Sequence, residues 1–254
     1  MPELHANSII STCRTLSETS SLIMSSEFHI GILIFPDLTP LDMVGPYEVF
    51  SRMKGAKVSL VAESKDPIRS ERGMFFIPDL NLEESPDFDL VLVPGGLGVN
   101  RLMENQKILS WLKAKAEKAS YLTSVCTGSL VLASAGLLKG YQATSHWLSL
   151  DVLELFPEVE VKKDRVVLDK DRASGGGVTA GIDFALSLVA ELQSKKAAEE
   201  IQLILEYNPA PPFSAGHPST APAEVLEETI TSRKKAQDLR KEIAGRAIQN
   251  LKKQ

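Results

Sequence analysis

Cysteine, histidine, excess basic charge and long apolar runs are all scarce in this chain. Two of its 254 residues are Cys, at positions 13 and 126. They are too few and too far apart for a disulfide framework, so a reducing compartment, the cytoplasm, is expected. No apolar run approaches the roughly 18 residues of a membrane span, so no membrane partner is expected. Lys and Arg number 28 against 33 Asp and Glu, a formal net charge of −5. That balance argues against nucleic acid, whose binding domains are usually basic. With four His and no convincing His/Cys ligand cluster, neither metal nor organic cofactor is expected. Positions 1–26 hold one basic residue, Arg14, offset by Glu3 and Glu18, and ten Ser or Thr. Neither a secretory leader nor an Arg-rich presequence fits there. Positions 1–26 read as a disordered tail, and Met24 suggests a natural start just ahead of the first strand.

The chain is 43% hydrophobic, enough to bury a substantial core. Between residues 28 and 190, short β-rich apolar runs alternate with helical patterns, the signature of βαβ units around a parallel sheet. Strands are expected at Phe28–Phe35, Lys57–Ala62, Met74–Ile77, Asp89–Val93 and Tyr121–Val125, with Asp89–Val93 buried on both faces. Helices are expected at Leu41–Met53, Gln106–Lys118, Thr127–Ala135 and Thr179–Leu192, with a further one to about Tyr207. Val159–Val161 and Arg165–Leu168 flank Lys162-Lys163-Asp164 and read as a β-hairpin. The domain organisation expected is a tail over 1–26, one α/β domain over 27–207, and a segment over 208–254 packed on it. That last segment opens as a Pro-rich coil, Asn208–Pro222. It continues as a helix whose apolar stripe is Leu226, Ile230, Leu239, Ile243 and Leu251.

Cys126 stands where strand Tyr121–Val125 runs directly into a helix beginning Thr127-Gly128-Ser129. A side chain there projects beyond the carboxyl edge of the sheet, where open α/β proteins bind ligands. The helix N-terminus favours the thiolate and is expected to lower the cysteine pKa. Ser124 and Gly128 are small enough for the sharp turn of a nucleophile elbow. The alternative is an inert buried thiol. The loop Pro94-Gly95-Gly96-Leu97-Gly98 follows the buried strand, and its N–H groups, with that of Thr127, could form an oxyanion hole. A phosphate cradle competes, although neither a Walker loop nor a dinucleotide fingerprint is complete. Gly175–Gly177 reads instead as a place of close helix–sheet packing. Asp42, just past the first strand, reads either as a partly desolvated proton donor or as a helix cap. Asp37 reads as a turn residue. His146 is the best candidate base among the four histidines, or else part of a packed helix start beside Trp147.

Together these motifs resemble the ThiJ/PfpI branch of the class I glutamine-amidotransferase-like superfamily, over about residues 27–207. Leu41-Asp42 with Gly45-Pro46, Val125-Cys126-Thr127-Gly128-Ser129, Ala143-Thr144 with His146-Trp147, and Gly176-Gly177-Val178-Thr179-Ala180-Gly181-Ile182-Asp183 are in the style of isonitrile hydratases. They are also similar to the sensor domains of AraC-type regulators. The resemblance implies a flavodoxin-like α/β sandwich with helices on both faces, usually a homodimer. It implies Cys126 as nucleophile, Asp42 as acidic partner, Thr127 as a required neighbour, and Gly96 with Thr127 as oxyanion donors. Gly95 and His146 complete the expected substrate-binding set, and the substrate expected is a small molecule. Asp42 stands where glyoxalase-like members commonly carry Glu, and Thr127 where PfpI-type members carry His, so the hydratase expectation gains over both. The expected reaction adds water to an isonitrile through a cysteine thioimidate. A non-catalytic ligand sensor, or a redox sensor using an exposed thiolate, are the alternatives.

Overall fold

In the computed structural model, which describes residues 27–253, the apolar runs that read as strands pair side by side. In chain order the strands are β1 (Phe28–Leu33), β2 (Ala56–Ala62), β3 (Ile68–Arg69), β4 (Phe75–Phe76), β5 (Leu80–Asn81), β6 (Leu90–Val93), β7 (Tyr121–Val125), β8 (Gln142–Ala143), β9 (Glu160–Val161), β10 (Val166–Asp169) and β11 (Arg172–Gly175). The helices are α1 (Pro40–Phe50), α2 (Val99–Leu102), α3 (Gln106–Ala116), α4 (Gly128–Ser134), α5 (Leu150–Leu153), α6 (Ala180–Leu192), α7 (Lys195–Ile204) and α8 (Ala223–Leu251). The tail expected over 1–26, with Cys13 and Met24, lies outside the described residues.

Seven strands form one sheet in the order β10-β11-β7-β6-β1-β2-β5, parallel except for β10 at one edge. The chain steps from β1 to β2 toward one edge and from β6 to β7 toward the other. Right-handed crossovers therefore put α1 and α3 on opposite faces of the sheet. Helix α1 packs on α6, and α6 on α7, while α4 gathers α2, α3, α5 and α8. Helices on both faces leave the central strands no contact with water. All four residues of β6, Leu90 to Val93, are fully buried, as are Ile30, Ile32 and Leu33 of β1. That explains why these strands read as continuous apolar runs rather than alternating ones.

Two expectations are corrected. Val159–Val161 and Arg165–Leu168 do not pair with each other. Instead β9 runs parallel to β8, and β10 forms its hairpin with β11, turning at Lys170 with φ 57°. The polar Lys170-Asp171 pair carries the same turn composition as Lys162-Lys163-Asp164, and the sequence does not rank them. What decides is that β11 joins β7 in parallel, placing Ser174 and Gly175 in a strand rather than a loop. Gly175 does permit close packing, since a Cβ there would lie 3.1 Å from Phe184 Cβ. The stripe of α8 is also different. Ile230 and Leu239 are exposed, and the buried residues are Arg240, Ile243, Ala244 and Ala247. Only the second half of this helix lies against the domain.

Gly128 sets how closely α4 can follow β7. A Cβ on it would fall 2.0 Å from the Val93 carbonyl oxygen, a backbone atom that cannot swing aside. Gly128→Ala is therefore expected to destabilise the fold by more than about 2 kcal/mol. For a chain of this size the expected drop in melting temperature is at least about 4 °C, checked by thermal unfolding followed by circular dichroism.

Candidate active site

The carboxyl ends of three neighbouring strands supply the site. β7 ends in Cys126, β6 runs into Pro94-Gly95-Gly96, and β1 leads through Pro36-Asp37 into α1, which carries Asp42. Cys126 has φ 56°, in the left-handed region that a non-glycine residue rarely adopts. Its N–H donates to the Gly175 carbonyl at 2.9 Å, and its own carbonyl accepts from the Ser145 and Ser129 hydroxyls at 3.1 and 3.2 Å. These bonds hold the strained turn, as nucleophile elbows require. The side chain is buried, with 5% of its surface exposed.

Asp42 does not cap α1. Thr39 occupies the N-cap, and its hydroxyl donates to Glu71 Oε1 at 3.0 Å. The Asp42 carboxyl is fully buried, and its Oδ2 accepts the Gly95 N–H at 2.9 Å. Its Oδ1 has no partner with the distance and angle of a full hydrogen bond. The Cys126 thiol is nonetheless near enough to favour the carboxylate by a looser contact. Burial dominates and pushes the Asp42 carboxyl up to about 7, with the Gly95 and Cys126 contacts lowering it and the charge of Glu71 adding to the rise. Cys126 behaves contrary to the sequence expectation. Burial, followed by the neighbouring Asp42 charge, raises its pKa well above the ordinary thiol value, and the Thr127 N–H and Arg240 only partly offset this. The helix terminus acts in the expected direction, but desolvation is the larger effect. The two groups therefore retain a shared proton at neutral pH.

The structure brings Gly95, Gly96 and Thr127 against this pair. A Cβ on Gly95 would lie 2.6 Å from Thr127 N and 2.7 Å from Asp42 Oδ2, so the loop closes on both. The Gly96 N–H donates to Thr127 Oγ1 at 3.1 Å, with Gly96 in a glycine-favouring backbone at φ 135°. In this resting arrangement the Gly95 and Gly96 amides are already engaged. His146 is half-buried and is not hydrogen-bonded to Cys126. Its Nδ1 accepts the Leu148 N–H at 3.2 Å at the start of a 3-10 turn, Trp147–Ser149. Burial, then Arg240 and Arg233, press its pKa down to about 4. The ring is therefore neutral with its proton on Nε2, a hydrogen-bond donor at neutral pH. Asp37 is a turn residue with φ 62°, paired to Arg101 at 2.8 Å. Among the described residues there is no group of three or more His, Cys, Asp or Glu side chains that could hold a metal ion.

Sequence reasoning missed Glu71, Ser145 and Arg240. Glu71 follows the short β3 strand and Arg240 lies on α8, so no local motif signals either one.

Residues 29–191 match the DJ-1/PfpI family. The chain belongs to that family. It is 46% identical over 223 residues to the isonitrile hydratase of Pseudomonas putida, covering 88% of this chain and 97% of the relative. It is thus a homologue of a hydro-lyase along nearly its whole length. A crystal structure of a ThiJ/PfpI family protein from Pseudomonas syringae superposes with a TM-score of 0.84 at 38% identity, covering 95% of this chain and 98% of the other. The HTH-type transcriptional regulator GbdR of Pseudomonas aeruginosa is 29% identical over 186 residues, which make up 70% of this chain but 50% of the regulator. No helix among the described residues of this DJ-1/PfpI protein is long and apolar enough to cross a membrane.

A buried carboxyl with a raised pKa costs the fold stability once it ionises. The folded protein holds the Asp42 proton until about pH 7, whereas the unfolded chain releases it near 3.8. The stabilisation is therefore full below about pH 4 and is lost as pH rises through 7. Asp42→Asn keeps an oxygen for the Gly95 N–H but cannot ionise. It is expected to gain on the wild type by up to about 4 kcal/mol between pH 4 and 8, checked by denaturant unfolding of both proteins at the two pH values.

Proposed function

We propose that the protein is an isonitrile hydratase, in which Cys126 is the nucleophile, Asp42 the proton donor, and an N-substituted formamide the product. One observation carries the reading: a carboxyl that keeps its proton near neutral pH sits against a cysteine on a strained elbow, in a chain 46% identical to an isonitrile hydratase. The terminal carbon of an isonitrile becomes electrophilic when protonated. Asp42 delivers a proton to that carbon while the thiolate attacks it, forming a C–S bond and a thioimidate. Water then adds to the same carbon, giving up a proton to the Asp42 carboxylate, and the tetrahedral adduct collapses as the C–S bond breaks. As the C=O bond forms, the hydroxyl proton passes to the nitrogen, the thiolate returns beside a reprotonated Asp42, and the net reaction is R–N≡C plus water to R–NH–CHO. Thr127 and the glycine loop position the water and the adduct, and His146 Nε2–H offers a donor to the bound molecule. The substrate is a small molecule, as in the homologous enzyme, and the reducing cytoplasm fits a buried free thiol.

The reactive state of the pair holds one proton, on Asp42 with the sulfur as thiolate. That state shares its proton count with the form having Asp42 ionised and the thiol intact. It replaces the doubly protonated pair as pH rises through about 7. With cyclohexyl isocyanide, kcat/KM is expected to rise through that pH and then level until the second proton leaves. Cys126→Ala should abolish formamide production, and Asp42→Asn should reduce it by at least about 100-fold. Turnover surviving in Cys126→Ala would refute the covalent route. Absence of turnover with several isonitriles would favour the sensor reading that the similarity to GbdR supports.

The assembly proposed is a homodimer. Met74, Phe75 and Ile77, on and beside β4, are 53, 65 and 73% exposed, apolar side chains that a partner subunit would cover. Sedimentation is expected to give twice the 27.7 kDa chain mass, and Phe75→Glu with Ile77→Glu to give the single mass.

A further inference from the structure

Arg240 is the most deeply buried charge on α8, with 5% of its surface exposed. Among the described residues no carboxylate lies within ion-pair distance of it, unlike Arg246 further along the helix, which grips Glu104. Its hydrogen bonds go to neutral groups. Nε donates to Asn100 Oδ1 at 2.9 Å and Nη1 to Ser149 Oγ at 3.1 Å. The Ser149 hydroxyl in turn donates to Gln237 Oε1 at 3.1 Å, one turn earlier on the same helix. Burying a guanidinium without an anion is costly, and such sites persist where the charge answers another one.

The two anchors show which one. Asn100 lies on α2, directly after the Gly95–Gly98 loop, and Ser149 closes the 3-10 turn after Ser145, whose hydroxyl holds the Cys126 carbonyl. The guanidinium is thus clamped between the two loops that flank the nucleophile, and α8 packs on α4, the helix of the elbow. The charged groups acting on the thiol are Asp42 from α1 and Arg240 from α8, and Glu71 beyond β3 acts on both of these. Arg233, also on α8, acts on His146, which is neutral. Asp42 opposes ionisation of Cys126, while Arg240 favours it; reciprocally, the cysteine and Glu71 favour the charged guanidinium against its burial.

We propose that Arg240 is a positioning residue whose buried charge stabilises the Cys126 thiolate, so that the C-terminal helix supplies the cation of the active site. It acts through Cys126 and needs no contact with the reacting carbon. The role rests on Cys126 as the nucleophile, and thiol alkylation tests it without any isonitrile.

The experiment follows iodoacetamide alkylation of the full chain from about pH 6 to 10, read at the Cys126 peptide by mass spectrometry so that Cys13 does not contribute. Arg240→Met and Arg240→Gln are expected to slow alkylation at neutral pH by at least about threefold and to displace the pH profile upward. Arg240→Lys, which keeps the charge, should stay within about twofold of the wild type. If Arg240→Met does not fold, Arg240→Gln, which retains a donor for Asn100 or Ser149, carries the comparison. Wild-type profiles in a neutral variant with unchanged circular dichroism would overturn the proposal. So would a lysine variant as slow as the methionine one, because shape rather than charge would then be responsible. A protein that hydrates no isonitrile yet shows the displaced profile would count against the hydratase reading alone.

Discussion

The left-handed backbone of Cys126 is the constraint on which the rest of the site depends. A strand that enters a helix with no intervening loop can turn only if one residue takes a strained conformation and the next residues are small. Gly128 meets that need by lying against the Val93 carbonyl, which ties the elbow to the neighbouring strand. The same closeness brings the loop after β6 under Thr127, so the elbow and the glycine loop form one unit. Gly175, from the strand on the other side, accepts the Cys126 N–H and completes the support.

Burial then sets the chemistry. An exposed cysteine at a helix N-terminus would ionise readily, but this one is enclosed beside a carboxyl that is itself fully buried. Neither group can carry its charge cheaply, so the proton stays with the pair. The same enclosure gives His146 a neutral ring that donates through Nε2 rather than a base, consistent with its Nδ1 being occupied by the Leu148 amide.

The relatives differ in how much of their own length this chain matches. A hydro-lyase matches along nearly the whole chain and a transcriptional regulator matches over half its own length. Outside the strand ends, the buried Arg240 of α8 bonds to Asn100 and Ser149, which adjoin the loops beside the cysteine.

The parallel sheet was legible in the sequence because strands buried on both faces read as unbroken apolar runs, as at Leu90–Val93. Cys126 and the Gly95-Gly96 loop were legible because each follows a strand directly, Asp42 because it opens the helix after β1, and strand ends in a parallel sheet share one edge. The pairing of β10 with β11 was not, since two polar turns of equal quality lay within ten residues and only contact with β7 separated them. Nor was the sign of the Cys126 shift. Helix position is local, but desolvation depends on everything packed around a group. Glu71 and Arg240 were illegible for the same reason: they reach the site by long-range packing, where sequence neighbours carry no trace of the partner. The sequence by itself determined the elbow, because its geometry is set within a few residues of a strand end, and it placed Asp42 at the start of the helix after the first strand. Tertiary structure alone decided their charge state, because an electric field is summed over the whole neighbourhood.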